Sequence, residues 1–366
     1  MNTRPNTRPI LVMAGGTGGH VYPALAVARA LQAQARDIVW LGTHRGLESR
    51  IVPAAGIDIE WISIKGLRRK GALAILIAPL QIGWALLQSL AVILRRRPAA
   101  VLGMGGFVSG PGGVAAWLTR RPLVIHEQNA AAGMTNRLLA RLARVVLQAF
   151  PGSFNSDVDV ETVGNPVRED IAAVAPPHER YANRQGALRV LVLGGSQGAL
   201  ALNRSVPAAL ALLDADVRPV VRHQCGERTL EIAQQAYDQQ NIEVELLPFI
   251  EDMAQAYGWA DLVICRAGAL TVAELCAVGV PALFVPYPAA VDDHQTANAR
   301  PMADAGAALI IPEAELTPEH LATLLREWLQ SRAELQQRAA KARALSVPDS
   351  LARITQICLE QAGAVA

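Results

Sequence analysis

The turn Gly15-Gly16-Thr17-Gly18-Gly19-His20 has a counterpart about half a chain later, Gly194-Gly195-Ser196-Gln197-Gly198. Each follows an apolar run, Ile10-Leu11-Val12-Met13 and Val190-Leu191-Val192-Leu193, and each leads into an Ala- and Leu-rich stretch. A strand, a tight glycine turn and a helix let backbone approach a phosphate and offer it N–H groups at the positive end of a helix dipole. Either turn alone also reads as an ordinary strand-to-helix connection. The pair points to two α/β domains that share a phosphate-containing ligand.

Other polar groups fall just after predicted strands, where open parallel sheets place their sites. His126-Glu127-Gln128-Asn129 follows Leu123-Val124-Ile125, and Asp292-Asp293-His294-Gln295 follows Leu283-Phe284-Val285-Pro286. The run Cys265-Arg266-Ala267-Gly268-Ala269-Leu270-Thr271-Val272-Ala273-Glu274 places a turn at Gly268 before a helix. Its N–H groups can meet a diphosphate, and Arg266 adds charge. Glu274, about a turn and a half further on, can accept hydrogen bonds from a sugar diol. G-x-G-x-x-G and G-x-x-x-x-G-K-[ST] do not occur, which disfavours a nicotinamide dehydrogenase and a P-loop NTPase.

These residues need repeated βα units to position them. Strands are predicted near 9–14, 37–41, 58–63, 99–102, 122–126 and 144–148, with helices near 23–34, 46–54, 73–94, 109–119 and 133–142. The loop 103–113 is richer in glycine than a turn requires and reads as a second backbone cradle. A composition break at Gly164-Asn165-Pro166-Val167-Arg168, with the polar run to residue 185, is read as a linker. Strands then follow near 188–193, 217–223, 243–247, 261–265, 281–285 and 308–311. Helices follow near 199–213, 228–239, 251–257, 269–277, 293–304, 318–328, 331–344 and 349–363. Strands alternating with helices imply two parallel sheets.

With 366 residues, two domains are the natural expectation. Hydrophobic residues are 51% and charged residues 18%, ample for two cores. Lys+Arg is 34 against Asp+Glu 32, which gives no nucleic-acid signal. The four cysteines form no C-x-x-C pair and read as reduced, buried thiols without a zinc site. The N-terminal residues do not read as a secretory signal. Residues 72–94 carry no formal charge, and Lys65, Arg68, Arg69, Lys70, Arg95, Arg96 and Arg97 flank them. Pro79, Gln81, Gln88 and Ser89 interrupt the stretch, and cations bracket both ends, so a transmembrane span is disfavoured. An apolar patch rimmed by cations suits an anionic membrane surface, and a core helix is the alternative.

Taken in order, these motifs resemble the MurG family of N-acetylglucosaminyltransferases over nearly the whole chain. The resemblance implies an α/β protein of the GT-B glycosyltransferase fold, two Rossmann-like parallel-sheet domains facing a central cleft. It implies an acceptor- and membrane-facing domain over 1–166, with helix 349–366 packing back on it, and a UDP-sugar domain over 167–348. The donor is expected to be UDP-N-acetylglucosamine. Ser196 and the Gly268 helix start would hold its diphosphate, Ile250 would present backbone to the uracil, and Glu274 would bind the ribose. Ala269, Leu270, Gln295 and Asn129 would contact the sugar. Arg168, Arg266, Thr271, Val272 and Ala273 complete the expected donor site, and Thr17, Gly18 and Gly19 would meet donor or acceptor pyrophosphate. The expected acceptor is undecaprenyl-pyrophosphoryl-MurNAc-pentapeptide, met on the cytoplasmic face of the inner membrane. The enzyme would be attached there peripherally through residues 65–97, with other cell-wall synthesis proteins as further partners and no nucleic acid. No metal or other cofactor is expected.

An inverting single displacement needs one base for the acceptor hydroxyl. His20 is the first candidate and Glu127 the second, with an orienting role as the alternative for Glu127. A GT-B epimerase and a non-catalytic sugar-nucleotide binder are the competing readings.

Overall fold

In the computed structural model, residues 8–64, 72–182, 184–195, 198–290 and 293–363 are described, with side chains of the helix Ala72–Arg96 from Ile77 onward. Two units emerge: residues 1–167 with 349–366, and residues 168–348. The strands of the first are β1 (Ile10–Met13), β2 (Ile38–Gly42), β3 (Asp58–Trp61), β4 (Ala100–Gly103), β5 (Leu123–Glu127), β6 (Val145–Gln148) and β7 (Glu161–Thr162). Those of the second are β8 (Arg189–Leu193), β9 (Val220–Gln224), β10 (Glu245–Leu247), β11 (Leu262–Cys265), β12 (Ala282–Phe284) and β13 (Ala308–Ile310).

The first sheet runs β3-β2-β1-β4-β5-β6-β7 and the second β10-β9-β8-β11-β12-β13, with parallel pairing throughout. Each order reverses beside its first strand, between β1 and β4 and between β8 and β11. At such a switch point the neighbouring connections leave in opposite directions and open a crevice at the carboxyl ends. Both glycine turns and their companion loops are at these two points.

All four residues of β1 are buried, as a strand covered on both faces requires. Ile10 and Val12 face a core built with Val21, Leu25, Ala28 and Leu31 of the helix Gly18–Ala33 and with Ile354, Ile357 and Cys358 of the helix Ser350–Gly363. Leu11 and Met13 face the opposite core, with Ala85, Val92, Ile93, Ala115 and Ala116. The two-residue period of the strand divides its side chains in this way. Arg353 adds paired bonds of 2.6 and 3.0 Å to Glu161 in the same unit.

Three regions depart from the sequence expectation. The first helix begins at Gly18 rather than near 23, so His20 lies in its first turn and Pro23 inside it. Pro23 has no N–H, and the Gly19 carbonyl therefore lacks its usual helical partner. Residues 168–182 are not a loose linker but two short helices, Glu169–Ala172 and Pro177–Ala182, which bury Ile171 and Tyr181. Too few apolar residues in a polar run hid them. The two-residue β7 had no pattern long enough to recognise.

Candidate active site

In the first unit, the turn after β1 rests against the loop after β4. Gly106 has φ +83°, and a Cβ there would stand 2.2 Å from the Gly15 carbonyl oxygen. Gly105, at φ +92°, leaves room for the His20 imidazole, whose Nδ1 would lie 2.7 Å from such a Cβ. The extra glycines of the 103–113 loop thus allow close packing against the first turn and its histidine. Ser109 fixes the loop by donating to the carbonyls of Gly105 at 2.8 Å and Met13 at 3.2 Å. The buried Trp40 indole N–H donates to the Ala14 carbonyl at 2.9 Å.

A residue that the sequence reading missed braces the turn from below. Glu48 is wholly buried, and one carboxylate oxygen accepts the Gly16 N–H at 2.9 Å. The other accepts the Thr43 N–H at 3.0 Å and the Thr43 hydroxyl at 2.8 Å. A lone Glu at the start of a short helix carries no sequence signal for this role. Only the fold brings it under the turn.

His20 is half-buried, and its Nδ1 lies 2.8 Å from Oε1 of Gln128. Gln128 Nε2 lies 3.0 Å from Nδ1 of the buried His126, whose Nε2 lies 2.9 Å from the Gly164 carbonyl oxygen. Burial lowers the His126 pKa to about 4, against the pull of the Gly164 bond and the Glu127 charge, so this ring is neutral at physiological pH. Glu127, the second base candidate, is occupied with scaffolding. Its carboxylate accepts the Asn129 N–H and amide, the Gly133 N–H and the Asn136 amide, at 2.9–3.1 Å. Four donors match the acceptor capacity of a carboxylate. Glu127 therefore shapes the loop that carries Asn129.

In the second unit, β11 ends at Cys265 and Gly268 takes the cap position of the helix Ala269–Val278, with φ −63° and ψ 139°. Gly268 has no side chain with which to cap that helix, whose positive dipole end suits an anion. Val272 turns into the core, while Leu270, Thr271 and Ala273 are half-buried. Glu274 is buried and accepts the Tyr257 hydroxyl at 2.9 Å. Burial raises its pKa to about 7; the Tyr257 bond and the Arg168 charge act in the opposite sense. Arg168 thus falls near Glu274, because the helix it caps packs on Ala269–Val278. Ile250 is buried just ahead of the Asp252-capped helix Met253–Trp259, which carries Tyr257. Tyr257 is the second residue missed from sequence, where it reads as an ordinary core aromatic.

Gly195 and Gly198 of the second turn take φ +76° and +77°. Ser196 lies outside the described residues, as does Asp292. Arg266, expected to add charge for the diphosphate, is committed within the protein. It donates to the carbonyls of Val285 and Pro286 at 3.0 and 3.2 Å, pairs with Glu313 and lies over the Tyr287 ring. Gln295 accepts the Tyr287 N–H at 2.9 Å, so both residues shape the loop after β12. Asn298 donates to the Ala267 carbonyl at 3.1 Å and steadies the turn before Gly268.

The apolar stretch forms the helix Ala72–Arg96, with Pro79 inside it. Ala85, Ser89, Val92 and Ile93 pack inward. Leu80 is 75% exposed, Leu94 63%, and Trp84 and Leu87 59% each. A core helix does not leave such side chains in water. The neighbouring helix Ser109–Leu118 exposes Trp117 and Leu118, and Met134–Leu139 beyond it exposes Met134 and Leu138. Arg95 and Arg96 pair with Glu60 at 2.5 and 2.7 Å, which offsets part of the expected cationic rim. Lys65, Arg68, Arg69 and Lys70 lie outside the described residues.

Two parallel-sheet units, each with a glycine turn and a helix start at its switch point, define the class of GT-B glycosyltransferases. Residues 10–148 match the glycosyltransferase family 28 N-terminal domain and residues 189–354 the family 28 C-terminal domain. The UDP-N-acetylglucosamine--N-acetylmuramyl-(pentapeptide) pyrophosphoryl-undecaprenol N-acetylglucosamine transferase of Alkalilimnicola ehrlichii is 60% identical, over 97% of this chain and 99% of that one. The protein of the same name from Marinobacter nauticus is 54% identical, over 97% and 98%. The crystal structure of Acinetobacter baumannii MurG matches with a TM-score of 0.84 at 43% identity, over 96% of this chain and 99% of that one. The chain belongs to the MurG family within glycosyltransferase family 28. A Listeria monocytogenes structure titled as a UDP-N-acetylglucosamine 2-epimerase, at 14% identity and a TM-score of 0.66, shares the fold alone.

Proposed function

We propose that this chain transfers N-acetylglucosamine from UDP-N-acetylglucosamine to the 4-hydroxyl of the muramyl sugar in undecaprenyl-pyrophosphoryl-MurNAc-pentapeptide, with inversion. The observation that carries the donor half is the Gly268 helix start followed by the buried Glu274. A diphosphate at the N–H groups sets the nucleoside so that a carboxylate deeper along the helix can accept its ribose hydroxyls. Arg168 contributes positive charge near that carboxylate, and Ile250, Ala269, Leu270 and Gln295 line the donor. Ser196, in the second glycine turn, is assigned to the diphosphate by family membership.

The acceptor half belongs to the first unit. Thr17, Gly18 and Gly19 open the helix Gly18–Ala33 toward a pyrophosphate, and Glu127 holds the loop of Asn129, the residue assigned to the transferred sugar. His20 is the base. Its ring nitrogen takes the proton of the acceptor hydroxyl as that oxygen bonds to the anomeric carbon. The bond from that carbon to the UDP oxygen breaks, and its electron pair stays on the diphosphate. Helix N–H groups stabilise this leaving group, so no second acid is required.

The exposed row Leu80, Trp84, Leu87 and Leu94 docks on the membrane that carries the acceptor. One face of that helix is packed into the fold by Ala85, Val92 and Ile93, so it lies on the bilayer rather than across it. Attachment is peripheral, on the cytoplasmic face of the cell membrane, and other cell-wall synthesis proteins are the expected neighbours there.

The test is transfer of labelled N-acetylglucosamine to muramyl-pentapeptide-pyrophosphoryl lipid in detergent, with UDP-N-acetylgalactosamine as the control donor. Donor-dependent labelling of the lipid is expected, with kcat for His20→Ala lower by about 10²–10⁴-fold. UDP binding without transfer refutes the acceptor half. A kcat loss below about tenfold removes His20 as the base.

A further inference from the structure

The chain of contacts behind His20 determines which of its ring nitrogens is basic. The Gly164 carbonyl can only accept, so His126 Nε2, 2.9 Å away, must carry the ring hydrogen. Burial keeps His126 neutral, so its Nδ1 is a lone pair. That lone pair faces the amide end of Gln128, at 3.0 Å. The same amide also reaches the His126 carbonyl at 3.1 Å, and the Asn165 amide donates to the Gln128 main-chain carbonyl at 2.9 Å. The two contacts of the side-chain amide therefore turn the Gln128 side-chain oxygen toward His20, and the Asn165 bond holds the main chain. An amide oxygen only accepts, so His20 Nδ1, at 2.8 Å, carries a hydrogen.

We propose that Gln128, oriented by His126 and the Gly164 carbonyl, is a positioning residue that holds neutral His20 in the Nδ1–H tautomer and leaves Nε2 as its basic atom. The consequence for catalysis rests on the reading of His20 as the base. A neutral imidazole in water favours the opposite tautomer slightly, so without this contact most molecules present the wrong nitrogen. Gln128 has a second effect once the proton has been taken. Its oxygen continues to accept from the imidazolium Nδ1–H, which stabilises the charge formed during transfer, but being an amide it cannot receive the proton. Gly105 supports the arrangement, because any side chain there would displace the ring from Gln128.

The tautomer is read directly by long-range ¹H–¹⁵N correlation on the full chain labelled at histidine, with His20→Gln assigning the His20 ring among the seven histidines. The expected result is pyrrole-type Nδ1 and pyridine-type Nε2 for His20, with the opposite pattern for His126. Pyrrole-type Nε2 on His20 overturns the proposal. Gln128→Met keeps the length and removes the acceptor. It is expected to shift His20 to a mixture of tautomers and lower kcat about ten- to a hundredfold, with KM for UDP-N-acetylglucosamine unchanged. Gln128→Glu keeps an acceptor toward His20 and is expected to recover the Nδ1–H tautomer, with kcat restored only in part because its carboxylate, unlike the amide, has no hydrogen for the His126 Nδ1 lone pair. A Gln128→Met protein with an unchanged tautomer overturns the role of Gln128. If Gln128→Met fails to fold, the wild-type spectrum and Gln128→Glu still decide. If His20→Ala is active while the spectrum is as expected, the base reading has failed and the tautomer assignment stands.

Discussion

Glu274 links donor affinity to pH. Burial raises its carboxyl from an ordinary 4.5 to about 7. Because the folded value lies above the unfolded one, this group contributes most to stability below about pH 4.5. That contribution is lost as pH rises toward 7, at a cost of roughly 3 kcal/mol by the conversion of one pKa step to 1.36 kcal/mol. Above pH 7 the apo fold holds a buried carboxylate that accepts the Tyr257 hydroxyl. Ribose hydroxyls would offset that cost by donating to it. About one molecule in eleven is ionised at pH 6 and about ten in eleven at pH 8. If the ionised form is the one that accepts the diol, Kd falls about tenfold across that range. Isothermal titration with UDP-N-acetylglucosamine, without acceptor, measures this, and the sugar ester avoids the terminal phosphate of UDP, which titrates near pH 6. Glu274→Gln should bind about ten- to a hundredfold more weakly at pH 8, the loss of about one charge-assisted bond, with a flat profile. A flat wild-type profile, or an unchanged slope in the variant, refutes ribose recognition by Glu274.

Two further perturbations test the first unit. Glu48→Gln places an amide NH₂ against either the Gly16 or the Thr43 N–H, a loss of about 2 kcal/mol, so the thermal transition of that unit should fall by roughly 4–8 °C with a raised KM for the lipid acceptor; calorimetry and steady-state kinetics measure the two, and an unchanged Tm removes Glu48 as the brace. Leu80→Glu with Trp84→Glu should lower binding to anionic lipid vesicles at least tenfold in flotation while UDP-N-acetylglucosamine Kd stays constant, and undiminished vesicle binding refutes this docking face.

Two parallel-sheet α/β domains and most elements were legible in sequence because they depend on local patterns. Four-residue apolar runs such as Ile10-Leu11-Val12-Met13 make buried strands, and the glycine turns after them are specified by chain geometry. The helix Ala269–Val278 and its carboxylate at Glu274 followed from spacing alone. Residues 168–182 were misread because their burial depends on contacts far along the chain. Arg180, for example, donates to the Val278 and Gly279 carbonyls at 2.6 and 2.7 Å. The exposed row on Ala72–Arg96 could be anticipated as apolar, but its continuation through Trp117 and Leu138 required helix packing.

Which residues could do chemistry was therefore determined by the sequence, and what each is free to do was decided by tertiary structure. Arg266 offers donors and Glu127 acceptors in any fold, but only the folded chain commits one to Glu313 and the strand-end carbonyls and the other to four donors. His20 was visible as a histidine after glycines. The reason its Nε2 is basic lies more than a hundred residues away in Gln128. Spacing along a chain records periodicity and turns, whereas hydrogen-bond capacity is consumed by partners that only the folded sheet order brings together.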